Sequence, residues 1–150
     1  MPPTAHQEDL LQQLADRSAI VEVVTRYATA LDTKDWTALG SLFTEDATWE
    51  YVGGGELLSG PDAIVARIAE TLQPLQVTQH LFGNHTVRLD GDEAEHTCYV
   101  QAQHVRFDGE KYLGAGCYND HLRRTPDGWR FTHRRLTSVW SHGDPAVVLG

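Results

Sequence analysis

A histidine stands at the centre of "TQHLFGN", residues 78–84, where polar and apolar residues alternate. Such alternation describes a strand with one buried face, and an imidazole on that face needs a partner or a task. Proton transfer is the task its chemistry suits, because histidine titrates near neutrality and can both accept a proton and give it up. A second histidine, His104 in "VQAQHVRFDG", shares a strand face with Cys98, Val100 and Ala102, which points it inward. Cys117 and Asn119 share one face of the next strand. His80, His85, His104 and His133 show no carboxylate–histidine spacing of a known metal motif, so no metal is expected. The glycines of "GGGELLSGP" come without the lysine and spacing of a phosphate loop, which argues against a nucleotide.

The elements that must position these residues fall into two groups. Leu10, Leu11, Leu14, Ile20, Val21, Val24, Tyr27, Ala28 and Leu31 recur at helical spacing and predict an amphipathic helix from about Asp9 to Asp32. "ADRSAI" offers a fresh N-cap, so a break is expected near Asp16–Ser18. A short helix follows in "DWTALGSLF". Ala47, Trp49 and Tyr51 then alternate with polar residues, and three glycines turn the chain into a hairpin. "SGPDAIVARIAETL" starts a third helix, with Pro61 at its first position. After Pro74 everything reads as strand: Val77–Leu89, Glu93–Phe107, Tyr112–Thr125 and Trp129–Trp140, with an Asp-Gly pair in each turn. Grouped helices before a long antiparallel meander give an α+β fold, a cone-shaped curved sheet packed against three or four helices, whose mouth is a natural pocket. All 150 residues are expected to form one domain. The tail "SHGDPAVVLG" fits either an arm across the cone mouth or a contact to a neighbouring subunit.

Composition narrows the partners. Twenty-one Asp and Glu stand against 12 Lys and Arg, with no basic stripe, so nucleic acid is not expected. The chain shows neither a signal peptide nor an apolar stretch of membrane-spanning length, and the expectation is a cytoplasmic protein. Cys98 and Cys117, in separate strand-like segments, read as reduced residues.

The element order, together with "RYATALDTKDW", "TQHLFGN" and "YNDHLRRTPDGWRF", resembles the SnoaL-like branch of the nuclear transport factor 2-like superfamily. Within it the likeness is to scytalone dehydratase, bile-acid dehydratase and hexachlorocyclohexane dehydrochlorinase. The resemblance implies a cofactor-free elimination in the cone, with His80 as general base and Asp32 orienting it. It also implies that Tyr51 or Tyr27 steadies a developing oxyanion and that His104 assists the leaving hydroxyl. Asn119, Cys117 and Arg134 match positions that contact the substrate or leaving group in these enzymes. Trp49 and Leu31 complete the expected binding set, Leu31 standing where scytalone dehydratase has a second tyrosine. A small apolar hydroxy-carbonyl, polyketide-like or steroid-like substrate is implied, along with a homo-oligomer, a trimer favoured over a dimer. An isomerase, an aldol-type cyclase or a non-catalytic ligand-binding module are the competing readings.

Overall fold

The computed structural model describes residues 1–149. Helix α1 (Ala5–Thr33) opens with a capping box in which Thr4 and Gln7 bond reciprocally. It runs without the break expected at Asp16–Ser18. Asp16 is instead buried mid-helix, where its carboxylate accepts a two-pronged bond from Arg124 at 2.6 and 2.8 Å and another from the Trp129 indole at 3.2 Å. A capping residue with better partners in the sheet has no reason to end the helix. The first turns overhang the sheet, leaving Leu10, Leu11 and Leu14 exposed rather than on a buried stripe.

Lys34, in the left-handed conformation, caps α1, and α2 (Trp36–Gly40) follows. Strand β1 (Phe43–Val52) forms a hairpin with the short β2 (Leu58–Ser59), and α3 (Pro61–Leu72) begins on the expected proline. The meander comprises β3 (Val77–Asp90), β4 (Glu93–Val105), β5 (Lys111–Thr125) and β6 (Gly128–Gly143). Each runs within about two residues of its expected bounds, β6 excepted, which extends three residues further. The sheet order is β2-β1-β6-β5-β4-β3, antiparallel throughout except that β1 lies parallel to β6. Its concave face packs on α1 and α3 around Ile20, Val24, Leu39, Ile64, Leu122 and Phe131. Pro145 and the short α4 (Ala146–Leu149) that follows place Pro145, Val148 and Leu149 along the rim of the cone. Among the described residues no helix is long and apolar enough to cross a membrane.

Candidate active site

The last turn of α1 meets the first residues of β3 at Asp32. An aspartate at a helix C-terminus opposes the helix dipole, and here three donors compensate it. The Thr78 hydroxyl donates to Oδ1 at 3.0 Å, the His80 amide to Oδ2 at 2.9 Å and the His80 ring Nδ1 to Oδ1 at 2.6 Å. Burial would raise the Asp32 carboxyl, but the hydrogen bonds from the His80 ring and amide, the His80 charge and the Thr78 hydroxyl outweigh it and hold the group below its ordinary range. An ionised carboxylate only accepts, so the neutral His80 ring carries its proton on Nδ1 and keeps the Nε2 lone pair free.

His80 lies on the wall of a cavity of about 540 Å³ that opens at the cone mouth. Of the residues expected at a site, Tyr27, Leu31, Trp49, Tyr51 and His104 line this cavity with it, and Asp32 backs it from behind. Leu72, Val100, Ala102 and Leu136 add apolar wall, and Glu56, Arg67, Thr71, Tyr112 and Ser138 also line the cavity. Tyr51 sits near the rim, about one-third exposed, whereas Tyr27 is buried. Burial pushes the Tyr27 phenol up, with the Arg134 charge working against it, so the group remains a hydroxyl donor.

His104 stands edge-on to His80, ring centroids 5.8 Å apart. Its Nδ1 lies 3.2 Å from the Tyr112 carbonyl, an acceptor, and the proton of the neutral ring therefore sits on Nδ1. Burial first, and the neighbouring His80 charge second, lower its pKa to about 4. At neutral pH His104 thus presents a lone pair to the cavity and has no free N–H to give.

Three expected site residues lie elsewhere. Asn119 is exposed and Cys117 half-buried, and neither borders the cavity. The phase of β5 is set by Tyr118, Asp120 and Leu122, all buried on the concave side, which turns Cys117 and Asn119 to the convex side. Arg134 is fully buried but does not line the cavity. Its Nε donates to Asp120 at 3.0 Å, and its guanidinium packs between the rings of Tyr27 and Tyr118, 4.0 and 3.8 Å from their centroids. Burial disfavours that charge, yet Asp120 and the phenols more than offset it and keep Arg134 protonated. Its Nη1 has no partner among the described residues, which the facing π-systems partly compensate.

Tyr118 is among the cavity residues that sequence reasoning missed, with Tyr112, Arg67 and Ser138. For Tyr118 the signal was present: in "CYNDHL" the larger apolar residues, Tyr118 and Leu122, stand at even spacing with Asp120 between them. Asp120 and His96, which bond at 2.8 Å in the interior, carried no comparable signal.

Comparison with known proteins bears on the family and the fold. Residues 12–135 match the SnoaL-like domain. The chain belongs to the SnoaL-like family. An uncharacterised protein of Mycobacterium tuberculosis is 31% identical over 131 residues, covering 85% of this chain and 88% of its own. Among solved structures, a candidate aromatic ring hydroxylase of Novosphingobium aromaticivorans is 29% identical, with a TM-score of 0.83 over 90% of this chain and 97% of that one. A candidate scytalone dehydratase of the same organism is 24% identical, TM-score 0.80, over 88% and 89%. Hexachlorocyclohexane dehydrochlorinase LinA-type3 of Novosphingobium barchaimii is 19% identical, TM-score 0.79, over 90% and 94%. The latter two share the fold, which is that of the nuclear transport factor 2-like superfamily. This SnoaL-like chain therefore has a scaffold found in dehydratase-like and dehydrochlorinase proteins, and its own residues decide what the cone does.

Proposed function

We propose that this SnoaL-like protein is a lyase that eliminates water from a small, ring-shaped, mostly apolar hydroxy-carbonyl compound without a cofactor. The observation that carries the reading is the 2.6 Å contact between Asp32 and His80 at the wall of a 540 Å³ apolar cavity. His80 Nε2 takes the proton from the carbon next to the substrate carbonyl, and the C–H electron pair becomes an enolate. Tyr27, with Tyr51 nearer the mouth, donates a hydrogen bond to that oxygen. The enolate pair then forms the carbon–carbon double bond and expels the hydroxyl. Because neutral His104 has no proton to offer from Nε2, the proton that converts the departing hydroxyl to water comes from His80 itself. Proton and hydroxyl consequently leave from one face of the substrate, and His104 serves as an acceptor that orients the hydroxyl. Arg134 acts through the ring faces of Tyr27 and Tyr118 as a positioning residue.

The lack of a separate acid also supports a second reading, an isomerase or aldol-type cyclase in which His80 returns the proton to carbon. One experiment separates the readings. Cyclic ketones with and without a β-hydroxyl are incubated with the protein in D2O, following α-deuteration by NMR and enone formation by absorbance. Elimination predicts enone formation on the hydroxylated set and α-deuteration on the set without a leaving group; isomerisation predicts deuteration without enone on both. Asp32→Asn is expected to lower either rate by about 10²–10⁴-fold through loss of the oriented base. Catalysis unchanged in Asp32→Asn would remove the dyad from the mechanism, and no reaction on any member of the set would favour a ligand-binding module.

We further propose that the chain self-associates, a trimer ahead of a dimer. Leu81 and Trp140 occupy one row of the convex sheet face through the pairings with Gln101 and Ala115, and Tyr99 stands two residues from Gln101 on that face. All three are at least 47% exposed, an apolar surface suited to a second copy. Light scattering on the purified protein, compared with Tyr99→Lys, tests this: a single monomeric mass for the wild type contradicts it.

A further inference from the structure

Toward the opposite end of the concave sheet face from His104 lies a cluster with no part in the proposed chemistry. β3 is irregular between Gly83 and Thr86, where Asn84 adopts a left-handed conformation at φ 55°. A bulge of this kind inserts one residue and reverses the inward phase of the strand beyond it. Before it, His80 and Phe82 face inward; after it, His85, Val87 and Leu89 do, as the pairing of Val87 with inward His96 shows. Strict alternation would have left His85 on the outer face. The strained Asn84 conformation thus has a visible effect: it seats the His85 ring against His96, Nδ1 to Nε2 at 3.0 Å.

His96 is fully buried, and its other nitrogen, Nδ1, bonds Asp120 at 2.8 Å. A carboxylate behind an imidazole is the arrangement that fixes tautomer and raises donor strength in a ligating histidine. Two residues on, Cys98 projects from the same face of β4, and the ligand atoms of His85, His96 and Cys98 all lie within 4.8 Å of one another. We infer that His85, His96 and Cys98 form a binding site for a single Zn²⁺ ion, which would clamp the edge strand β3 to β4.

The dimensions permit it. Tetrahedral zinc, with Zn–N about 2.0–2.1 Å and Zn–S about 2.3 Å, places nitrogen pairs about 3.3 Å apart and nitrogen–sulfur pairs about 3.6 Å apart. The two histidines need to part by a few tenths of an ångström, and the cysteine to approach by no more than about 1.2 Å. Two imidazoles and a thiolate are a borderline-soft set suited to zinc, with water in the fourth position. Half-buried His85 on an edge strand gives the ion a way in.

Electrostatics sets the terms of binding. Burial pushes the Cys98 thiol up to about 12, with the Arg134 charge opposing that rise. Burial, then His96 and Arg134, lower the His85 pKa, so its ring is neutral and able to ligate at neutral pH. Zinc would displace the thiol proton to solvent and move the His85 proton from Nδ1 to Nε2. Arg134, the nearby cation, is already paired with Asp120, and the new thiolate offsets one of the two charges the ion brings.

Co²⁺ and Zn²⁺ are titrated into chelator-treated wild-type protein. The site predicts one equivalent of Co²⁺ per chain with a near-ultraviolet thiolate-to-cobalt band, displaced by Zn²⁺. Cys98→Ser should abolish the band, His85→Ala should weaken binding at least tenfold, and His80→Ala should leave the spectrum intact. Zn²⁺ should raise the melting temperature of the wild type and not that of His85→Ala, a comparison that holds even if Cys98→Ser fails to fold. No band in the wild type, a band that survives Cys98→Ser, or equal Zn²⁺ stabilisation of His85→Ala overturns the assignment.

Discussion

Acid should destabilise this protein through His104 in a way that can be separated from every other group. The ring's pKa is lowered from 6.5 to about 4 in the folded state, by burial first and His80 second. Above pH 6.5 the ring is neutral in both folded and unfolded chains and contributes no pH dependence. As pH falls below 6.5 the unfolded chain binds a proton that the folded one refuses, so stability drops until the folded ring protonates near 4. At 1.36 kcal/mol per unit, 2.5 units amount to about 3 kcal/mol over the whole window, and roughly 2.5 kcal/mol by pH 4.5. His104→Leu keeps the side-chain volume, and the Tyr112 carbonyl retains the Gln103 amide as a donor at 3.2 Å. The substitution should therefore add a constant offset and remove the part of the slope that His104 contributes. Urea unfolding followed by tryptophan fluorescence at pH 7.5 and 4.5 measures it, with a shift in the difference of midpoints of about 1 M for a typical urea slope. Asp32, Asp16 and the other carboxylates held low lose stability in acid as well, but they are common to both proteins and cancel in the comparison. Parallel pH dependence in the two proteins would mean that His104 does not resist protonation in the folded state.

Other outcomes follow from the interior. Arg134→Met leaves the buried Asp120 carboxylate with only His96, and should cost about 3–5 kcal/mol in urea unfolding; Arg134→Met combined with Asp120→Asn should recover part of that loss. A Cβ at Gly116 would sit on the Thr137 carbonyl at the β5–β6 irregularity, so Gly116→Ala should destabilise by about 1–3 kcal/mol and distort the cavity wall, where Gly40→Ala, with nothing nearer than ordinary contact, should not.

What the sequence revealed and concealed divides along physical lines. The meander was legible because alternation and Asp-Gly turns are local signals, and Gly91, Gly109 and Gly128 adopt the positive φ that those turns require. The Asp32–His80 pair was reachable through its motif, since both ends of the contact lie at element boundaries. The continuity of α1 was not, because Asp16 has partners more than a hundred residues away. Nor was the phase of β5: Cys117 and Asn119 form one face of the strand and Tyr118 and Asp120 the other, and choosing between them requires knowing that Arg134 lies buried beneath the sheet to neutralise an inward aspartate. The bulge at Asn84 reverses β3 and brings His85 to His96, a change that uninterrupted alternation cannot foresee.

Whether Asp32 holds His80 as a base toward the cavity can be read from the tautomer of the His80 ring. Long-range proton–nitrogen NMR on histidine-labelled protein, with the resonance assigned by its loss in His80→Ala, reports which ring nitrogen carries the proton in the neutral form. The proton is expected on Nδ1, toward Asp32, with Nε2 bare. A proton on Nε2 would leave the cavity without a base and contradict the role of His80.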